Sequence, residues 1–182
     1  MRQRLPPALQ QRDFRFLWSA VLSMRFAENM IAVAVGWQVY AIHRNPLDLG
    51  LIGLAEFVPL PLLALPAGHL ADKVPRRLIA MLSLTIMVCV AAALLVVTVQ
   101  GADVVWPYYV LASATGVASG LGWPAYAALA PEVVPVDLVA GAVALRSVAS
   151  TTAVIVGPAV GGLLFAWRPE AVYALAAVLF YR

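Results

Sequence analysis

The sequence predicts an all-α polytopic membrane protein, a bundle of about six helical spans with the last one truncated. Three observations predict it. First, 63% of the residues are hydrophobic and 12% are charged, with a mean hydropathy of +0.90. A soluble domain carries about a quarter charged residues to cover its wetted surface, and a soluble chain this apolar would expose large sticky patches. Second, the apolar residues fall into segments near the ~20 residues that cross ~30 Å of hydrocarbon as a helix. Third, these segments do not alternate apolar and polar as the strands of a membrane barrel do; Ala91-Ala92-Ala93-Leu94-Leu95-Val96-Val97 is apolar throughout. Hydrocarbon offers no water to an unpaired amide, so a lone spanning segment must be helical.

Residues 1–13 hold Arg2, Arg4, Arg12 and the pair Pro6-Pro7. The apolar run behind them is too long for a signal peptide and carries Arg25 and Glu28, with no small-residue cleavage site at its end. Residues 1–13 are therefore read as a cytoplasmic tail, and 14–182 as one transmembrane unit. The first span is expected from Phe14 to Ile42, ending at His43-Arg44-Asn45-Pro46. The second runs from Leu47 to Leu70, where Pro59, Pro61 and Pro66 suggest a kink because each removes an amide donor. The third covers Leu78 to Val99, the fourth Val104 to Ala130 and the fifth Leu138 to Trp167. A sixth starts near Ala171, and only about half a span precedes Arg182. A helix stopping at mid-bilayer leaves carbonyls unpartnered in hydrocarbon, so the sequence is read as a fragment whose second half is absent.

The cations in the short connections set the expected orientation. Arg2, Arg4, Arg12 and Arg15 flank the first span, and Lys73, Arg76 and Arg77 occupy the second connection. The other side has only Arg44, beside Asp48, and Arg168, beside Glu170. Cations concentrate on the cytoplasmic side, which places the N-terminus in the cytoplasm and the chain in a plasma or inner membrane. The net charge of +3 comes in short clusters and forms no continuous basic face, so nucleic acid is not an expected partner. Cys89 has no cysteine to pair with and reads as a small buried apolar residue.

Spans associate through small residues, since lipid supplies no hydrophobic drive between helices. Ala112, Gly116 and Gly120 form one such row; Gly157 and Gly161, with Gly162 alongside, form another. Pro158 sits between these glycines and is expected to bend the fifth span.

Ionisable groups at membrane depth cost about 2.5–3.5 kcal/mol or more, and mark functional sites by default. Arg25 and Glu28 share a helical face, roughly 16–21 Å along the first span. Two readings stay open: they neutralise each other as a structural pair, or Glu28 or Glu56 lines a water-filled pathway and exchanges a proton. Gln38 lies further along the first span. Arg146, near the cytoplasmic end of the fifth, either snorkels to the interface or contacts an anion. Nothing suggests an enzyme, a metal or a cofactor. His43 and His69 sit at span ends, and HExxH, Gly-x-Ser-x-Gly and the Walker-type phosphate loop are all missing from the sequence.

The second connection, Gly68-His69-Leu70-Ala71-Asp72-Lys73-Val74-Pro75-Arg76-Arg77, resembles the signature loop of the major facilitator superfamily, Gly-x-Leu-Ala-Asp-Arg-x-Gly-Arg-Arg/Lys. Gly157-Pro158-Ala159-Val160-Gly161-Gly162 resembles the Gly-Pro-x-x-Gly-Gly segment of its exporters. Arg12-Asp13-Phe14-Arg15-Phe16-Leu17-Trp18 and Pro131-Glu132-Val133-Val134-Pro135 resemble its siderophore and drug exporter branch. The resemblance implies a twelve-span secondary transporter of two six-span halves with a central site and alternating access. This chain would be the N-terminal half. Gly68, Asp72, Arg76 and Arg77 would form a cytoplasmic latch against the other half, since helix dipoles favour a carboxylate beside an N-terminus and cations near C-termini. Pro75 replaces the second glycine of the motif. The fourth span lacks the arginine of many proton-coupled members, leaving Ser113 and Thr115 as its nearest polar groups, and Ala125-Tyr126 follows Pro124 where the branch often has arginine. The implied function is export of a small amphipathic molecule, drug or siderophore-like, by proton antiport. The alternative is a non-transporting half-length module that assembles with a partner bundle.

Overall fold

The computed structural model describes residues 10–63, 74–101, 103–129 and 134–181. These form six α-helices: α1 (Arg12–His43), α2 (Pro46–Phe57), α3 (Arg76–Val99), α4 (Trp106–Leu129), α5 (Val139–Trp167) and α6 (Pro169–Tyr181). A 3-10 turn, Val136–Leu138, leads into α5. Among the described residues there is no strand.

The local sequence explains each junction. α1 stops where Arg44 turns into the left-handed region at φ 51 and returns its amide to the Tyr40 carbonyl. Asn45 is extended, its side chain accepts from the Leu47 amide, and Pro46 opens α2, as a capping residue followed by proline at the first helical position should. α2 breaks at a turn on Val58 ahead of Pro59 and resumes to Leu63, which is the expected interruption; Pro66 lies outside the described residues. α3 ends at Gly101, whose φ of +64 suits a residue without Cβ. Arg168 is extended before Pro169, because proline disfavours the helical region in the residue preceding it. α5 remains helical through Pro158.

By length and composition, three helices qualify as membrane-crossing: Pro46–Leu63, Arg76–Val99 and Val139–Trp167. α1 and α4 are long enough, with 32 and 24 residues, at about 1.5 Å per residue. Arg25 and Glu28 lower the hydropathy of α1; serines, threonines and aromatic residues lower that of α4. α6 is a shorter apolar helix.

α1 packs most extensively on α5 and also against α6; α3 packs on α4 and α6; α2 packs on α4. The core lies between α1, α3, α4 and α6, around Met30, Val39, Met87, Leu94, Tyr108 and Tyr173. Glycines allow close approach at two of these contacts. A Cβ on Gly161 would come within 2.8 Å of the Met30 Cα, and one on Gly157 within 2.8 Å of the Asn29 Cβ, so α5 and α1 meet backbone to backbone. A Cβ on Gly116 would fall on the Glu56 carbonyl, and Gly120 faces Leu60 at ordinary contact distance. A Cβ on Gly162 meets nothing within 4 Å among the described residues. Cys89 departs from expectation: it is exposed. It sits on the outer face of α3 with Leu82 and Val96, where an apolar side chain of a membrane bundle meets lipid. Arg76 and Arg77 open α3, so the dipole argument for cations at C-termini does not extend to them. Gly68 and Asp72 lie outside the described residues.

Candidate functional site

Arg25 and Glu28 pair on α1, Nη1 donating to Oε2 at 2.8 Å. Their side chains are 16% and 14% exposed, so the pair is shielded and little screened. It divides two cavities. Glu28 lines the first, of about 90 Å³, together with Glu56 from α2, Tyr108 and Thr115 from α4, and Phe180 from α6. Such a space, between two carboxyl groups, has room for a few waters. Arg25 lines the second, of about 250 Å³, with Trp123 and Tyr126 of α4 and Arg146 of α5.

The packing explains how these side chains come together. Glu56 enters the first cavity because Gly116 lets the α2 backbone lie directly on α4. Thr115 turns its hydroxyl back onto the Leu111 carbonyl and Ser113 onto Tyr109, so both are locally satisfied. In the second cavity Arg25 stacks over the Trp123 ring, 3.8 Å from its centroid, a cation–π contact. Arg146 donates to the Tyr126 carbonyl at 3.5 Å. It reaches across to α4.

The structure separates Gln38 from both cavities' charged groups. Its amide donates to Thr98 at 2.9 Å and its oxygen accepts from the Tyr173 hydroxyl, tying α1 to α3 and α6. Buried polar groups joined in this way fix helix register. Arg76 and Arg77 are exposed at the start of α3.

Sequence reasoning missed three groups. Trp123 gives no signal as a stacking partner until α1 and α4 are in contact. Gly122 lets Ser83 approach α4, where Ser83 donates to the Ala118 carbonyl at 2.8 Å. Asp48, buried at 7% exposure, accepts from Tyr109 at 2.8 Å and meets His43 Nδ1 at 3.0 Å; the cap Asn45-Pro46 and the acidic first turn of α2 were the available signal.

Comparison with known proteins follows the same line. Residues 5–182 match the family model described as transmembrane secretion effector, of the MFS type. The chain is 32% identical over 127 residues to the uncharacterised MFS-type transporter YfiS of Bacillus subtilis (strain 168), covering 70% of this chain and 29% of that protein. It is 25% identical over 143 residues to the staphyloferrin A transporter of Staphylococcus aureus (strain NCTC 8325 / PS 47), covering 78% of this chain and 36% of that protein. The matched region thus spans about a third of the length of these curated relatives. No solved structure matches the chain significantly.

Proposed function

We propose a transport function from one premise: this multi-pass membrane chain belongs to the major facilitator superfamily. In this reading residues 14–182 are the N-terminal six-helix half of a secondary active transporter, and a second half completes the central pathway in the whole protein. Residues 1–13 and the connection holding Arg76 and Arg77 face the cytoplasm, and the membrane is the plasma or inner membrane. The poorly buried helices α2 and α5 are the surfaces offered to the second half. Gly68, Asp72, Arg76 and Arg77 act as the latch against the second half. The cargo is a small amphipathic molecule moved outward in exchange for protons, and the likeness to a siderophore transporter supports a small-molecule cargo of that kind.

The observation that carries the reading is the meeting of Glu28 and Glu56 on one cavity, with Glu28 bound to Arg25. A structural ion pair needs no second carboxyl and no water-sized space beside it. A proton arriving at Glu28 removes the charge that holds Arg25, so the pair opens and closes with proton occupancy. Intramembrane carboxyls facing such spaces are the usual relays of transporters.

The test is flux of amphipathic dyes in proteoliposomes of the full-length protein under an imposed pH gradient. Wild type should export, and Glu28→Gln and Glu56→Gln should each lower gradient-driven flux by roughly tenfold or more. Unchanged flux in both variants removes the pathway assignment. The alternative, a half-length module that assembles with a partner bundle, is separated by the reading frame after Arg182: six further spans favour transport, a stop codon favours the module.

A further inference from the structure

The second cavity carries a charge pattern opposite to the first. Its lining includes Arg25, Arg146, Trp123, Tyr126, Ser147 and Ser150, and no carboxylate among the described residues. Arg25 gives one nitrogen to Glu28 and lies over Trp123. Arg146 has its 3.5 Å bond to the Tyr126 carbonyl and, among the described residues, no acidic partner. A guanidinium carries five N–H donors and stays charged at any physiological pH, so most of the binding capacity of Arg146 is directed at the cavity. Trp123 adds apolar surface at 48% exposure.

We infer that this cavity binds the oxyanion of an amphipathic solute, a carboxylate above all, with Arg146 and the free edge of Arg25 taking the charge and Trp123 the apolar body. The planar fork of arginine matches the two oxygens of a carboxylate. Assigning that anion to the cargo rests on the transport reading. The geometry also makes the anion a competitor of Glu28, because both use the Arg25 guanidinium.

The experiment compares binding of 2-naphthoate and its neutral isostere 2-naphthamide to the full-length protein in phosphatidylcholine nanodiscs by calorimetry. Wild type should prefer the carboxylate by roughly tenfold, the scale of one hydrogen-bonded charge. Arg146→Gln should abolish the preference and leave amide binding unchanged. Arg146→Lys should keep part of it. Equal affinity of wild type for the two compounds overturns the site without any variant, as does a preference that survives Arg146→Gln. A preference present in phosphatidylcholine and lost in phosphatidylglycerol identifies a lipid headgroup as the occupant and overturns the solute assignment. Binding needs no gradient, so an intact preference without dye flux sinks the transport reading alone, and flux with equal binding sinks this site alone.

Discussion

Arg25 and Glu28 form a 2.8 Å ion pair whose two ends line different cavities, Glu28 beside Glu56 and Arg25 beside Arg146. One turn of α1 thus forms the wall between an acidic space and a basic one. Removing either residue deprives the other of its ion-pair partner.

Glu28→Ala or Arg25→Ala alone should lower stability by about 3 kcal/mol, the cost of stranding one member of a shielded pair. The double variant Arg25→Ala, Glu28→Ala should lose much less than the sum of the singles. A double-mutant cycle on unfolding of the detergent-solubilised protein measures the difference; additive losses would mean that the pair is not coupled.

Gly161→Ala should destabilise by about 1–3 kcal/mol, since the added methyl meets the Met30 backbone and that backbone cannot yield as a side chain does. Gly162→Ala, one residue away, should be neutral or stabilising by about 0.5–1 kcal/mol, because the methyl meets open space and alanine is the better helix former. Thermal unfolding of both variants reads the contrast, and equal behaviour would contradict the α1–α5 contact.

Gly116→Ala should push the α2 backbone off α4 at Glu56 and reduce flux more than it reduces the amount of folded protein. Gly120→Ala, facing Leu60 at 3.5 Å, should be tolerated. Flux normalised to folded protein distinguishes a displaced Glu56 from a general loss of packing.

Tyr173→Phe should lower stability by about 0.5–1.5 kcal/mol through the lost hydrogen bond to Gln38, with flux unchanged. Flux that fell as steeply as in Glu28→Gln would return Gln38 to the pathway. Dye flux alongside the melting curve checks both.

The spans were legible because hydropathy is a property of short stretches. The residues His43 to Pro46 mark the turn between α1 and α2, and the prolines after Phe57 mark the break in α2. Arg25 with Glu28 was legible as a candidate pair because three residues along a helix is one face. Glu56 was legible only as a costly residue, and nothing local linked it to Glu28. Cys89 misled, because small size and apolar surroundings in the sequence do not reveal which face of a helix meets a neighbour.

By itself the sequence determined that this is a helical membrane protein and where its chain can turn, since both follow from what each short segment gains or loses in hydrocarbon. Only the tertiary structure decided that Glu56 joins Glu28, that Arg146 joins Arg25 over Trp123, and that Gln38 is a tie between helices. Those outcomes depend on which helix faces touch, which is set by backbone approach at Gly116, Gly157 and Gly161. Packing between helices in lipid depends on shape more than on hydrophobicity, and shape is a property of pairs of helices.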